Sequence, residues 1–205
     1  MKSAAPSSSQ GHILLGALIV AVALYRVVSA SIFPELPNFS PVMAIALCGG
    51  LFLPGAVAWI LPAAALVLSD VVLSLVLGYP VLSEGQVAAW ACVAVAIVSG
   101  RLLASRGGFQ WLSFAGVLVG NALFFYLVTN TVSWAVEPAY AKSFAGWLQS
   151  VTVGLPGFPP TWTFFRNALA GDVLFSALIL GVKLLAEGTL TVRASSPALQ
   201  RVAQG

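Results

Sequence analysis

Arg166, Asn167 and Asp172 lie close together in a segment, 161–186, whose remaining residues are mostly apolar and which reads as a membrane-spanning helix. A charge at the bilayer centre costs roughly 2.5–3.5 kcal/mol on insertion scales, so it persists where protein or a wet cavity receives it. Arginine suits a carboxylate or phosphate. A buried carboxylate accepts hydrogen bonds from an amine or amide, or holds a proton, because low dielectric disfavours its charged form. Similar chemistry recurs in other apolar segments, at Arg26, Asp70 and Asn130, and Asn38 and Ser40 stand at the start of another. Arg166 and Asp172 are separated by about 120° around a helix and about 9 Å along it, so they do not pair with each other. Their partners must come from other spans. Arg26 with Asp70 or with Asp172, completed by Asn130 and Asn167, are the expected combinations. Phe125 stands beside this set, where its ring could stack on a planar ligand. The nine residues Arg26, Asn38, Ser40, Asp70, Phe125, Asn130, Arg166, Asn167 and Asp172 form the candidate substrate-binding set.

The elements that carry these residues follow from composition. The chain has 205 residues, 60% hydrophobic and 7% charged, with a mean hydropathy of +0.99; soluble domains carry about 25% charged residues. An all-α integral membrane bundle of six spans is expected, at 13–31, 41–53, 56–78, 86–103, 111–134 and 161–186. A signal peptide is the other reading of the first, but Tyr25 and Arg26 interrupt its apolar run. The second is too short, reaching only about 20 Å of a core about 30 Å thick, and must lean on its neighbours. Residues 1–12 read as a disordered cytosolic tail, residues 187–205 as a mobile one, and 135–160 as a lid or binding loop.

Six spans with both termini inside put Lys2, Arg101, Arg106, Lys183, Arg193 and Arg201 on the cytosolic face and Lys142 outside. The candidate residues then gather in the outer half, Asn38 and Ser40 opening the second span from outside. An outward-facing pocket gives a reason for that asymmetry. The net charge of +3 is spread too thinly for nucleic acid. Cys48 and Cys92 lack metal-ligand spacing and read as packing residues, so neither a metal nor a cofactor is expected. No His/Cys nucleophile arrangement and no H-E-x-x-H is present, and an enzyme is not expected. Asp70 with Asp172 would change that only if the two carboxyls approached within about 3–5 Å and shared a proton. Asp-Val-x-x-Ser recurs at 70–74 and 172–176, a faint hint of an inverted repeat.

The motifs Pro37-Asn38-Phe39-Ser40-Pro41-Val42, Leu68-Ser69-Asp70, Leu123-Phe124-Phe125-x-Leu127-Val128-Thr129-Asn130 and Phe164-Phe165-Arg166-Asn167-x-Leu169-x-Gly171-Asp172 resemble a family of uncharacterised bacterial six-span membrane proteins, over roughly 13–186. More distantly, the size and layout look like the S components of energy-coupling factor transporters. That resemblance implies a bacterial inner-membrane protein that takes a vitamin or trace nutrient from outside. It also implies a transmembrane coupling protein and ATPases as partners. Ala17 and Ala21 match the small residues through which such proteins contact the coupling subunit, and small-x-x-x-small spacing permits close helix approach. The chain has no G-x-x-x-x-G-K-[ST] of its own. The expected function is therefore substrate binding for uptake with separate energising partners. The alternatives are a proton-coupled carrier and an accessory scaffold subunit.

Overall fold

The computed structural model describes residues 24–28, 38–78, 80, 82–106 and 109–194 and the isolated positions 13, 17, 20 and 21, the side chains of 77 and 186–194 excepted. The tail 1–12, much of the first expected span and residues 195–205 lie outside the described residues. Among those described the chain is all-helical. The helices are α1 (Val42–Phe52), α2 (Val57–Leu77), α3 (Glu84–Ala104), α4 (Trp111–Val136), α5 (Phe144–Ser150) and α6 (Thr161–Ala194). Residues 24–28 are also helical. Helices α2, α3, α4 and α6 are long and apolar enough to cross a membrane, and α1 is a shorter apolar helix. The protein is thus a multi-pass membrane protein. Two bounds differ from the sequence reading: α6 continues to Ala194, into the expected tail, and α5 lies within the expected loop.

The ends of the long helices follow local rules. Ser83 caps α3 by accepting from the Gln86 amide at 3.1 Å, with Glu84 in the first turn. Gly78 closes α2 with φ 74, a left-handed cap that glycine adopts without strain.

Helix α1 has none of these devices. It has no side-chain cap, no acid in its first turn and no base in its last. Its central residues Met43–Gly50 are buried, and it forms the middle of the core with α3, α2 and α6 around it. Both ends are satisfied from other helices. The Ala44 amide donates to Asp172 Oδ1 of α6 at 3.2 Å. At the other end Arg101 of α3 donates to the Leu53 carbonyl at 3.2 Å and to the Gly55 carbonyl at 2.6 Å. A carboxylate at the start and a guanidinium at the end match the polarity of the helix dipole.

Glycines set how closely α1 is held. A Cβ on Gly50 would lie 2.2 Å from the Ile97 carbonyl oxygen, and one on Gly100 would lie 2.2 Å from the Leu47 carbonyl oxygen. The backbones of α1 and α3 therefore touch. The chain leading into α1 is also in close contact, because a Cβ on Gly171 would lie 3.0 Å from the Ser40 carbonyl oxygen. Gly171 is about 15 Å along α6 from Thr161 at 1.5 Å per residue. Ser40 thus lies level with the third turn of α6 rather than with its start. An eleven-residue helix covers only about 16 Å, and the described residues just before it, 38–41, are not helical. Such backbone is tolerated at membrane depth only where protein or a cavity surrounds it. Asn38, at φ 63, turns the chain there in a conformation that asparagine tolerates better than most residues.

Replacing Gly100 by Leu forces α1 and α3 apart and is expected to lower stability by about 3 kcal/mol or more, read as a loss of folded protein in detergent thermal melts. Arg101→Ala removes one end of α1's capping and is expected to cost about 1–2 kcal/mol, a smaller fall in the same melting midpoint.

Candidate functional site

Two groups of buried polar residues lie on either side of the start of α1. The first is built on Asp70, 6% exposed in the second half of α2. Arg26 forms an ion pair with it and also donates to Ser69 Oγ at 2.6 Å. Gln86 and Trp90 of α3 donate to the other carboxylate oxygen, Trp90 at 2.9 Å. Ser69 in turn donates to the Leu66 carbonyl at 2.8 Å. A carboxylate with a guanidinium, an amide and an indole around it has exchanged its water for protein donors, which is what makes a buried charge tolerable. Of the two partners expected for Arg26, the structure selects Asp70.

The second group is built on Asp172, 2% exposed on the inner face of α6. Its bond is the one to the Ala44 amide. The Cys48 thiol lies against the Ser176 hydroxyl beside it. Among the described residues no cation is paired with Asp172, and no hydrogen bond joins it to Asp70. The two Asp-Val-x-x-Ser stretches therefore hold their carboxylates in different settings.

Arg26, Ser69, Pro41, Val42, Ile45 and Pro62 line much of a crevice between the start of α1 and α2 that leaves about 10 Å³ for the centre of a water molecule. That is room for about one water, whereas pockets for small-molecule ligands run to about 300–1,000 Å³. Ser40 Oγ, one residue before Pro41, is buried without a partner among the described residues.

The remaining expected residues lie elsewhere. Arg166 is exposed on α6, 5.5 Å from the Trp162 ring, and its guanidinium donates to the neighbouring Asn167 Oδ1 at 3.2 and 3.1 Å. Asn167 is buried. Asn130 donates to the Tyr126 carbonyl of its own helix at 2.8 Å, and Thr129 to that of Phe125 at 2.8 Å; such back-bonding satisfies a polar side chain without a tertiary partner. Phe125 packs, half-buried, against the core around Met43 and Ala46. Asn38, Ala17 and Ala21 are exposed. Gln86 and Trp90 were not anticipated. Their signal was the i, i+4 spacing that puts both on one face of α3. Asn121, buried in α4 with its amide nitrogen unpartnered among the described residues, was also missed.

The segment between α4 and α6 is tied down. Tyr126 donates to the Val151 carbonyl at 2.5 Å, Trp147 to Thr131 Oγ1 at 3.0 Å, and Lys142 to the Glu137 carbonyl at 2.7 Å. Tyr140 is buried there, and burial together with the Glu137 carboxylate pushes its phenol above the ordinary value, so it stays neutral. Among the described residues no three His, Cys, Asp or Glu side chains gather in a way that could hold a metal ion.

No curated protein and no solved structure matches the chain. A family pattern matches residues 7–195, nearly the whole length, and the chain belongs to that family, DUF6580, a family of unknown function.

Proposed function

We propose that this protein is a substrate-binding membrane subunit that takes up a small nutrient, of the vitamin or trace-nutrient kind, with energy supplied by separate partners. In this reading it resides in a bacterial inner membrane, similar to an S component, and a transmembrane coupling protein with ATPases is its partner. One observation carries the reading. A short helix begins deep in the bundle, its positive end flanked by buried charges and by a crevice lined by Arg26 and Ser69. Discontinuous helices whose ends lie near mid-depth are how many transporters build solute sites. The crevice has to widen before a nutrient fits, as alternating access requires. Asp70 then holds Arg26 in place on the wall of the crevice that receives the solute.

The saturated set of bonds around Asp70 also favours a second reading, in which the pair fixes helix register in an accessory subunit. A paired replacement separates the two. With Arg26→Met and Asp70→Leu combined, the uptake reading expects a folded protein that has lost its solute. The loss would be at least tenfold in the amount retained on native mass spectrometry of the purified complex, consistent with removal of charged contacts worth about 1.5–3 kcal/mol. Unchanged retention or uptake in the double variant would sink the site assignment. Absence of any solute or partner subunit in the native spectrum of the unaltered protein would sink the uptake reading.

A further inference from the structure

The two buried aspartates differ in one respect that bears on what each can bind. Asp70 is paired with Arg26 and accepts hydrogen bonds from Gln86 and Trp90. Asp172 has an amide, at 3.2 Å, and no paired cation among the described residues. The titratable and charged groups on the elements packed around it are few. They are Cys48 on α1, Tyr25, whose ring meets Phe175 at 5.0 Å, and Tyr126 on α4, whose ring meets Phe165 at 5.3 Å. Arg26 is engaged with Asp70. On α6 itself Arg166 stacks on Trp162 and Lys183 lies over Phe52. A carboxylate so placed is balanced between two states. The positive end of α1 favours its charge, and burial away from water opposes it.

The geometry points to Asp172 as a proton-binding site that controls the start of α1. When Asp172 is charged, its bond to the Ala44 amide fastens the first turn of α1 to α6. Gly171 and Ser40, in backbone contact one residue away, complete the clasp. A proton on the carboxylate turns a charge-assisted bond into a neutral one about half as strong and cancels the attraction to the helix end. The first turn of α1 also carries Pro41, Val42 and Ile45, which form one wall of the crevice facing Arg26 and Ser69. Release of that turn widens the crevice, so protonation of Asp172 opens it and its ionisation closes it. That this crevice receives a nutrient rests on the uptake reading; the proton site and the movement do not.

The test uses the full chain in lipid nanodiscs, without partner subunits, carrying Ala65→Cys on the crevice wall. Alkylation by a water-soluble maleimide is followed residue by residue by mass spectrometry from alkaline to acid pH. The Asp172→Asn protein serves as the reference at each pH, which removes the pH dependence of the thiol itself. At the alkaline end of the range, where Asp172 is ionised, the protein with Asp172 is expected to label about tenfold more slowly than the reference, the ratio approaching one as pH falls. Asp172→Ala is expected to label at least as fast as the Asn form at every pH. Cys48, fully buried, stays unlabelled wherever the fold is intact. Infrared difference spectra of the same samples give a second readout: a protonated-carboxyl band that appears on acidification, is lost in Asp172→Asn and persists in Asp70→Asn. A ratio that does not change with pH, or a band lost with Asp70 instead, overturns the assignment. A native spectrum without solute would remove the uptake reading and leave these outcomes unaltered.

Discussion

A helix of eleven residues buried at the centre of a membrane bundle has two problems that a full-length span avoids. Its first turn lies inside the bundle, where water is scarce, and its terminal amides and carbonyls have no partners within the helix. Here the solution is a carboxylate from α6 at one end and a guanidinium from α3 at the other. Much of the rest of the fold follows from that. Helices α3 and α6 must flank α1, and glycines must stand wherever these backbones cross.

The same constraint accounts for how the polar residues are divided. A membrane protein can place a charge in its interior by pairing it, as Arg26 and Asp70 do, or by setting it against a helix end, as Asp172 and Arg101 are. Pairing removes the charge's freedom to change. A helix end supplies only a partial charge, so the group set against it stays responsive to its surroundings. One bundle thus contains a carboxylate paired with a cation and another set against a helix end, separated by the first turn of α1.

Much of this could be read from the chain, and the omissions have physical causes. Hydropathy found the four long spans because a lipid-facing helix needs apolar residues along its length, and 41–53 stood out through its shortness and its Gly49-Gly50 pair. The value of Asp172 as a tertiary cap was not legible, because capping is normally recognised from residues next to a helix, and this one is supplied from more than a hundred positions later. Arg101 was read as a mark of orientation for the same reason. Arg166 drew attention as a charge within a span, but it lies near the start of α6, where its side chain rests on Trp162 at the surface. Spacing along one helix gives no information on how deep that helix starts. Gln86 and Trp90 became meaningful only once α2 and α3 were side by side.

The glycine crossings at Gly50 and Gly100 have a mechanical consequence. With backbones in contact and Arg101 clasping the far end of α1, that helix and the second half of α3 behave as one stiff piece. Among the described residues the other end of α1 is joined to α6 by one amide-to-carboxylate bond, a backbone crossing and apolar packing around Phe175. The piece is clamped at one end and lightly latched at the other, as a lever is. Bending therefore concentrates around residues 38–45, and a displacement there passes into α3 and on to the Asp70 cluster, which holds its opposite end through Gln86 and Trp90.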